Sequence, residues 1–294
     1  MSKLYNHYPV SVLHLESTDI CQASCPLCAR ETDTNFDKDN HNHLTINQIE
    51  NLFDHDFLRN LDKMFMCGNY GDPAAGKHTL GILSYFRGLN SDITLGMNTN
   101  GALQNKTWWD TLGRLFHKQY DYVVFSIDGL EDTNHIYRQG VNWHKLIENA
   151  KAYIATGASA HWDMLIYEHN KHQVDDCEKL AKQLGFTWFR AKVSKRQSNV
   201  EWLKPPKDWT NPVVADGEID CFAIREQSIY VSAQGTVYPC CWLGTGTEYS
   251  YNTFDNVKAS WQSKQINPIC KQTCSTRANK SSFTAQWQRN VSLC

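Results

Sequence analysis

The chain has no apolar run approaching the roughly 20 residues needed to cross a bilayer. Its start, Met1-Ser-Lys-Leu-Tyr-Asn-His-Tyr-Pro-Val10, lacks the apolar core of a secretion signal. A membrane-spanning or exported protein is therefore not expected, and a reducing cytoplasm is the expected compartment. An excess of either charge is missing too. With 29 Lys and Arg against 31 Asp and Glu, the overall field gives no reason to expect nucleic acid or an anionic membrane as partner. Internal repeats and low-complexity tracts are absent. The 294 residues suit one large domain, or a large domain with a small appendage.

Cysteine, by contrast, is abundant, with eleven in the chain. Three stand together in Cys21-Gln-Ala-Ser-Cys25-Pro-Leu-Cys28, directly after an apolar, strand-like segment. Three thiolates this close can hold three corners of an iron-sulfur cube and leave one iron open. A local triplet without an obvious fourth member suggests that the last iron takes a substrate or cofactor. The competing reading is zinc, but zinc sites usually pair cysteines as C-x2-C with a second pair elsewhere.

From about residue 10 to 193, short β-rich runs alternate with longer amphipathic segments, the mark of βα units around a parallel sheet. Six strands are expected: Val10 to Leu15, Lys63 to Cys67, Ile93 to Met97, Tyr122 to Ser126, His161 to Ile166 and Thr187 to Lys192. Thr45-Ile-Asn-Gln48 reads as a capping box opening the first helix. Further helices are expected over about 79–89, 107–118, 143–156 and 174–184. Either a barrel or a doubly wound sheet satisfies this periodicity, and in both, ligands bind at the carboxyl ends of the strands.

The C-x3-C-x2-C spacing resembles the signature of the radical S-adenosylmethionine (radical SAM) superfamily. That resemblance implies a partial (β/α)6 barrel. It also implies a [4Fe-4S] cluster on Cys21, Cys25 and Cys28, whose open iron chelates SAM and whose electron cleaves it to a 5'-deoxyadenosyl radical. Gly68-Asn-Tyr-Gly71-Asp72-Pro73 looks like the family's glycine-rich element, with Asp72 for the usual Glu and Asn-Tyr inserted between the glycines. A tight strand-to-helix turn is the plainer reading of the same residues. By resemblance, Gly68, Gly71 and Asp72 would meet the SAM amino group. Asn98 and Ser126, with Asp128, would face its carboxylate and ribose, and Arg138 would clamp the carboxylate. A turn-forming or solvent-exposed role is the bland alternative for each. Met164 and Leu165 border adenine or are plain core. Leu27 stands where the family commonly has an aromatic residue.

Residues 194–220 break the rhythm and read as a linker between a core at 1–193 and a cysteine-rich module at 221–294. In that tail a hairpin is expected, Ile229 to Val231 and Thr236 to Tyr238. Cys221-x13-Gly235-x4-Cys240 resembles SPASM and the shorter twitch modules, with Cys270 and Cys274 completing four ligands of a second [4Fe-4S] cluster. The seven-cysteine SPASM set is not present. Cys241 and Cys294 are alternative ligands, zinc is an alternative occupant, and Cys67 and Cys177 read as packed hydrophobes.

The resemblance implies an oxidoreductase or maturase-like enzyme, fed by a one-electron reductant such as flavodoxin or ferredoxin, that abstracts hydrogen from a substrate carbon. Oxidative modification of a peptide or protein ranks first, against which stands the lack of a separate amino-terminal domain to capture a leader peptide. A small carbohydrate-like substrate comes second. The contrasting class is a non-enzymatic zinc or iron-sulfur binding or regulatory protein, which has no need of a glycine-rich turn or polar strand ends.

Overall fold

The computed structural model describes residues 9–39, 41–194, 196, 198, 200–204, 206, 218–245, 248–251, 253–263 and 265–275. Cys294, an alternative ligand in the tail, lies outside them. The fold is α/β, built on one eight-stranded sheet: β1 (Val12–Leu15), β2 (Lys63–Met66), β3 (Thr94–Thr99), β4 (Tyr122–Ser126), β5 (Ala160–Ile166), β6 (Trp188–Val193), β7 (Ser228–Val231) and β8 (Val237–Tyr238). The order is β6-β5-β4-β3-β2-β1-β7-β8. All neighbouring pairs are parallel except the hairpin β7–β8. Its ends do not pair with each other among the described residues, so the barrel is not closed.

The six expected strands are present with ends shifted by up to two residues. Helices Thr79–Leu89, Lys106–Leu115, Trp143–Ile154 and Val174–Leu184 follow the expected order. Thr45 and Gln48 form both hydrogen bonds of the capping box at the start of Ile46–Leu52. The tail hairpin also forms, but its placement was not expected. β7 runs parallel to β1, with Leu13 opposite Ile229 and Leu15 opposite Val231, so the hairpin extends the main sheet.

Strand alternation sorts the side chains onto two faces. Leu13, Leu15, Met64, Met66, Leu95, Met97, Val123, Phe125 and Trp162 point to the helices and are fully buried with Ile82, Phe86, Leu112 and Tyr153. The other face mixes polar and aromatic side chains and is also buried: His14, Phe65, Tyr122, His161, Asp163 and Tyr230 are each under 10% exposed. It closes by packing on itself. Lys63 lies over the rings of Phe65 and Tyr122, and Tyr122 stacks on His161. Gly96 makes room between them, since a Cβ there would come within 2.5 Å of the Tyr122 ring. Asp163 accepts from Arg190 (2.6 Å) and from Lys192. No helix of the described residues is long and apolar enough to cross a membrane.

Two outcomes follow from this architecture. A chain ending at Val193 loses the buried Ile229 and Val231, worth about 1.5–3 kcal/mol each, and leaves the β1 edge unpaired. It is expected to lose cooperative thermal unfolding by circular dichroism; a sharp transition like that of the full chain would refute the dependence. The second concerns acid. Burial pulls the His14 and His161 imidazoles from 6.5 down to about 4. The unfolded chain therefore binds protons first, so stability is held above pH 6.5 and lost as pH falls toward 4, by of order 3 kcal/mol per histidine. Urea unfolding at pH 7 and pH 4.5 should show a smaller acid loss in His161→Phe than in the parent; equal losses would exclude this cause.

Candidate functional site

The parallel register places the exits of β1 to β4 side by side, and the residues singled out by the sequence lie there. The loop leaving β1 carries the three cysteines. Cys28 N–H donates to Cys25 O (2.9 Å), and Cys28 precedes the short helix Ala29–Thr32. Ser24 N–H donates to Gln139 O (2.9 Å), and Gly140 permits that approach, because a Cβ there would come 2.7 Å from Gln22 O. Asp72 N–H donates to Ile20 O (2.8 Å). The cysteine loop is thus held from both the β2 and the β4 sides.

The sulfurs sit among polar donors. Ala23 N–H lies 3.4 Å and Asn100 Nδ2 3.6 Å from Cys21 Sγ, while Arg138 Nη1 lies 3.9 Å from Cys25 Sγ. Donors of this kind suit sulfurs that carry the charge of a cluster. Burial, assisted by Asp72, pushes the Cys21 thiol up to about 12, and burial raises Cys25 as well. Metal would therefore bind with release of protons. Among the described residues no three His, Cys, Asp or Glu are gathered as they would be around a single metal ion. A cube takes one thiolate per iron, so its ligands stand farther apart than those of one zinc, whose bonds are about 2.3 Å.

The remaining expected residues differ in how far their polar atoms are already bonded. Asn98 is on the polar face of β3, and its Oδ1 is buried with no hydrogen-bond partner, an acceptor that a bound amine or hydroxyl would satisfy. Ser126 ends β4, half-buried beside Asp163 in register. Asp72 turns inward, accepting from Ala74 N (2.9 Å), Thr99 Oγ1 (2.8 Å) and Asn100 N (2.7 Å). Asp128 is fully buried, accepting from Leu165 N and Arg138 Nε (both 2.6 Å). That pair fixes Arg138 with its Nη1 toward Cys25. The two glycines are required by chain packing: a Cβ at Gly68 would lie 2.2 Å from Gly71 O, and one at Gly71 1.9 Å from Thr18 O. Leu27 is buried, and its carbonyl accepts from Arg196 (2.6 Å). Met164 is on the helix-facing side, in the core.

Three residues were missed. Glu16, only 1% exposed, accepts from Tyr70 N (2.7 Å), Gly71 N (3.1 Å) and Tyr230 OH (2.6 Å). Asn69 donates to Cys241 O (2.7 Å), and its own carbonyl lies 3.6 Å from Cys28 Sγ. Asn100 reaches Cys21 and accepts from Gln22 Nε2 (2.7 Å). A carboxylate ending an apolar strand, and the insertion between the glycines, were the available signals.

In the tail, Cys221, Cys240, Cys270 and Cys274 line one apolar pocket with Trp242, Leu243, Phe254 and Trp261. Cys270 and Cys274 are one turn apart on the helix Pro268–Cys274. Cys241, next to Cys240 in sequence, does not line the pocket. Burial lifts the thiols of Cys240 to about 12 and Cys270 to about 11. No disulfide joins any of the ten described cysteines, and Cys177 is buried in the core.

No curated protein sequence matches the chain. Among solved structures, it is similar to Streptococcus suis SuiB bound to S-adenosylmethionine (TM-score 0.61, 14% identity), over 89% of this chain and 67% of SuiB. It is also similar to anSMEcpe with bound AdoMet and the Cp18Cys peptide (TM-score 0.61, 12% identity), over 93% of this chain and 92% of that one. SuiB bound to its precursor peptide SuiA matches as well (TM-score 0.60, 13% identity), over 89% and 66%. At these identities the likeness concerns the fold. Residues 15–181, more than half of the chain, match the family model of the Radical SAM superfamily, and the chain belongs to that superfamily.

Proposed function

We propose that this protein is a radical SAM enzyme that oxidatively modifies a peptide or protein, with a second cluster in its tail. The observation that carries the reading is the convergence of Cys21, Cys25 and Cys28 with the 68–73 loop and the partnerless Asn98 Oδ1 at one set of strand exits. The bound cluster would supply the electron that cleaves SAM to a 5'-deoxyadenosyl radical. The protein's part is to hold and orient. Cys21, Cys25 and Cys28 ligate three irons, the 68–73 loop and Asn98 receive polar groups of SAM, and the Asp128–Arg138 pair sets a cation beside Cys25. Ser126 stands next to Asp163, which is paired with Arg190 and Lys192, and would face the carboxylate and ribose of SAM.

The peptide substrate is favoured by the fold's likeness to SuiB and anSMEcpe, both described with bound peptides. The tail pocket supports a cluster on Cys221, Cys240, Cys270 and Cys274. With four protein ligands it would pass or accept electrons rather than chelate substrate. A flavodoxin- or ferredoxin-like reductant and a cytoplasmic setting complete the reading.

Anaerobic protein with reconstituted iron and sulfide should convert SAM to 5'-deoxyadenosine under a strong reductant, and Cys25→Ala should abolish the product. Absence of product from a reducible cluster, with and without acidic and cysteine-containing test peptides, would defeat the enzyme reading. Cys274→Ala tests the tail separately. Iron content should fall from about eight to about four per chain while the SAM-responsive EPR signal stays. A parent that loads only about four irons, or binds one zinc in the tail, would overturn the second cluster.

A further inference from the structure

Glu16 ligates no iron and lies behind the 68–73 loop, yet few side chains are so completely committed. Its Oε1 takes the amide protons of Tyr70 and Gly71, and its Oε2 takes the phenol proton of Tyr230. In a trans peptide the N–H and the preceding C=O point to opposite sides, and the described residues contain no cis bond. Amides of residues 70 and 71 drawn toward Glu16 therefore send the carbonyls of Asn69 and Tyr70 away from it. One consequence is visible: Asn69 O faces the cluster loop, 3.6 Å from Cys28 Sγ. A buried carboxylate is costly unless its oxygens are filled by donors, and the loop's own amides fill them. Gly68 completes the device, since a Cβ there would come 2.7 Å from Glu16 Oε1.

We propose that Glu16 is the positioning residue for SAM: by binding the Tyr70 and Gly71 amides it turns the carbonyls of Asn69 and Tyr70 outward, as acceptors for the SAM amino group beside Cys28. The proposal rests on the SAM-binding reading given above. Tyr230 extends it to the tail. Its hydrogen bond fixes the second carboxylate oxygen, and Asn69 donates to Cys241 O on the same side. Loop orientation is thus set jointly by β1 and β7.

The test is equilibrium dialysis of SAM against anaerobic protein with the catalytic cluster loaded, iron and sulfide being assayed in each sample. Glu16→Gln keeps an acceptor for both amides and a donor for the Tyr230 oxygen, and is expected to bind SAM within about threefold of the parent. Glu16→Ala leaves two amides without their acceptor and is expected to bind at least about tenfold more weakly, at unchanged iron content. Affinity within about twofold in Glu16→Ala overturns the proposal. So does an equal loss in both variants, which would make charge and not orientation the cause. If Glu16→Ala does not fold, amide exchange in the parent decides. The Tyr70 and Gly71 N–H groups should be protected without SAM, and exchange as fast as in an exposed loop overturns the assignment. Failure of the parent reading looks different, as a cluster-loaded parent that binds no SAM at all.

Discussion

The parallel pairing of β1 with both β2 and β7 is the constraint on which the rest of the structure depends. A strand that is central and buried on both faces has its register fixed, because a one-residue slip would exchange Leu13 and Leu15 for His14 and Glu16 in the core. With the register fixed, the cysteine loop leaves the sheet at the same level as the 68–73 loop from β2 and the Asn98–Asn100 segment from β3. The hairpin β7–β8 closes the other flank, so Gln234 reaches Asp19 on the cysteine loop, 215 positions away, and Cys241 reaches Asn69, 172 positions away.

Buried charge follows one economy throughout. Asp121 accepts from the backbone of Leu95 (2.8 Å) and Lys118 (2.9 Å) while pairing with Arg87 (2.5 Å). Asp128 does the same for Leu165 and Arg138, and Asp163 receives Arg190 and Lys192. Each carboxylate joins two chain segments far apart in sequence, and removing one partner would leave the other charged and dry. The pairs differ in location. Arg87–Asp121 lies at the strand entrances and serves the fold, whereas Arg138–Asp128 lies at the exits, against Cys25.

The elements and the cysteines were legible because each has a local signal. Strands alternate, helix starts carry caps, and Cys21, Cys25 and Cys28 sit within eight residues. Thr79 and Leu184 mark ends that the periodicity places correctly. What was not legible depends on pairing across the chain. Nothing within Ser228–Val231 says that its partner is β1 and not a strand of its own module. Nor does the sequence near Glu16 reveal Tyr230, 214 positions on, as its donor. Asn69 was visible only as an insertion; its meaning needs Cys241 O, 172 positions away. The polar face was missed for a similar reason, since His14, Lys63, Tyr122 and His161 are scattered in sequence and become a surface only when the strands align.

The substitution of Asp for Glu at position 72 then has a physical account. The Asp72 carboxylate, one methylene shorter, caps the turn at Pro73–Ala75 and is filled by Ala74, Thr99 and Asn100. With three donors already bound and 5% exposure, it has little capacity left for a ligand. Burial raises its proton affinity and the three donors lower it, so its main service is to tie the β2 exit to the β3 exit. Glu16 does the same from the opposite side, tying the loop to β1 and β7. Two filled carboxylates thus bracket the turn, Glu16 taking the Tyr70 and Gly71 amides and Asp72 the Ala74 amide just beyond it. With the Tyr70 and Gly71 amides on Glu16 and the Asp72 amide on Ile20 O, this stretch turns the Asn69 and Tyr70 carbonyls outward, and two acceptors side by side favour a cationic partner such as an ammonium group over an anion.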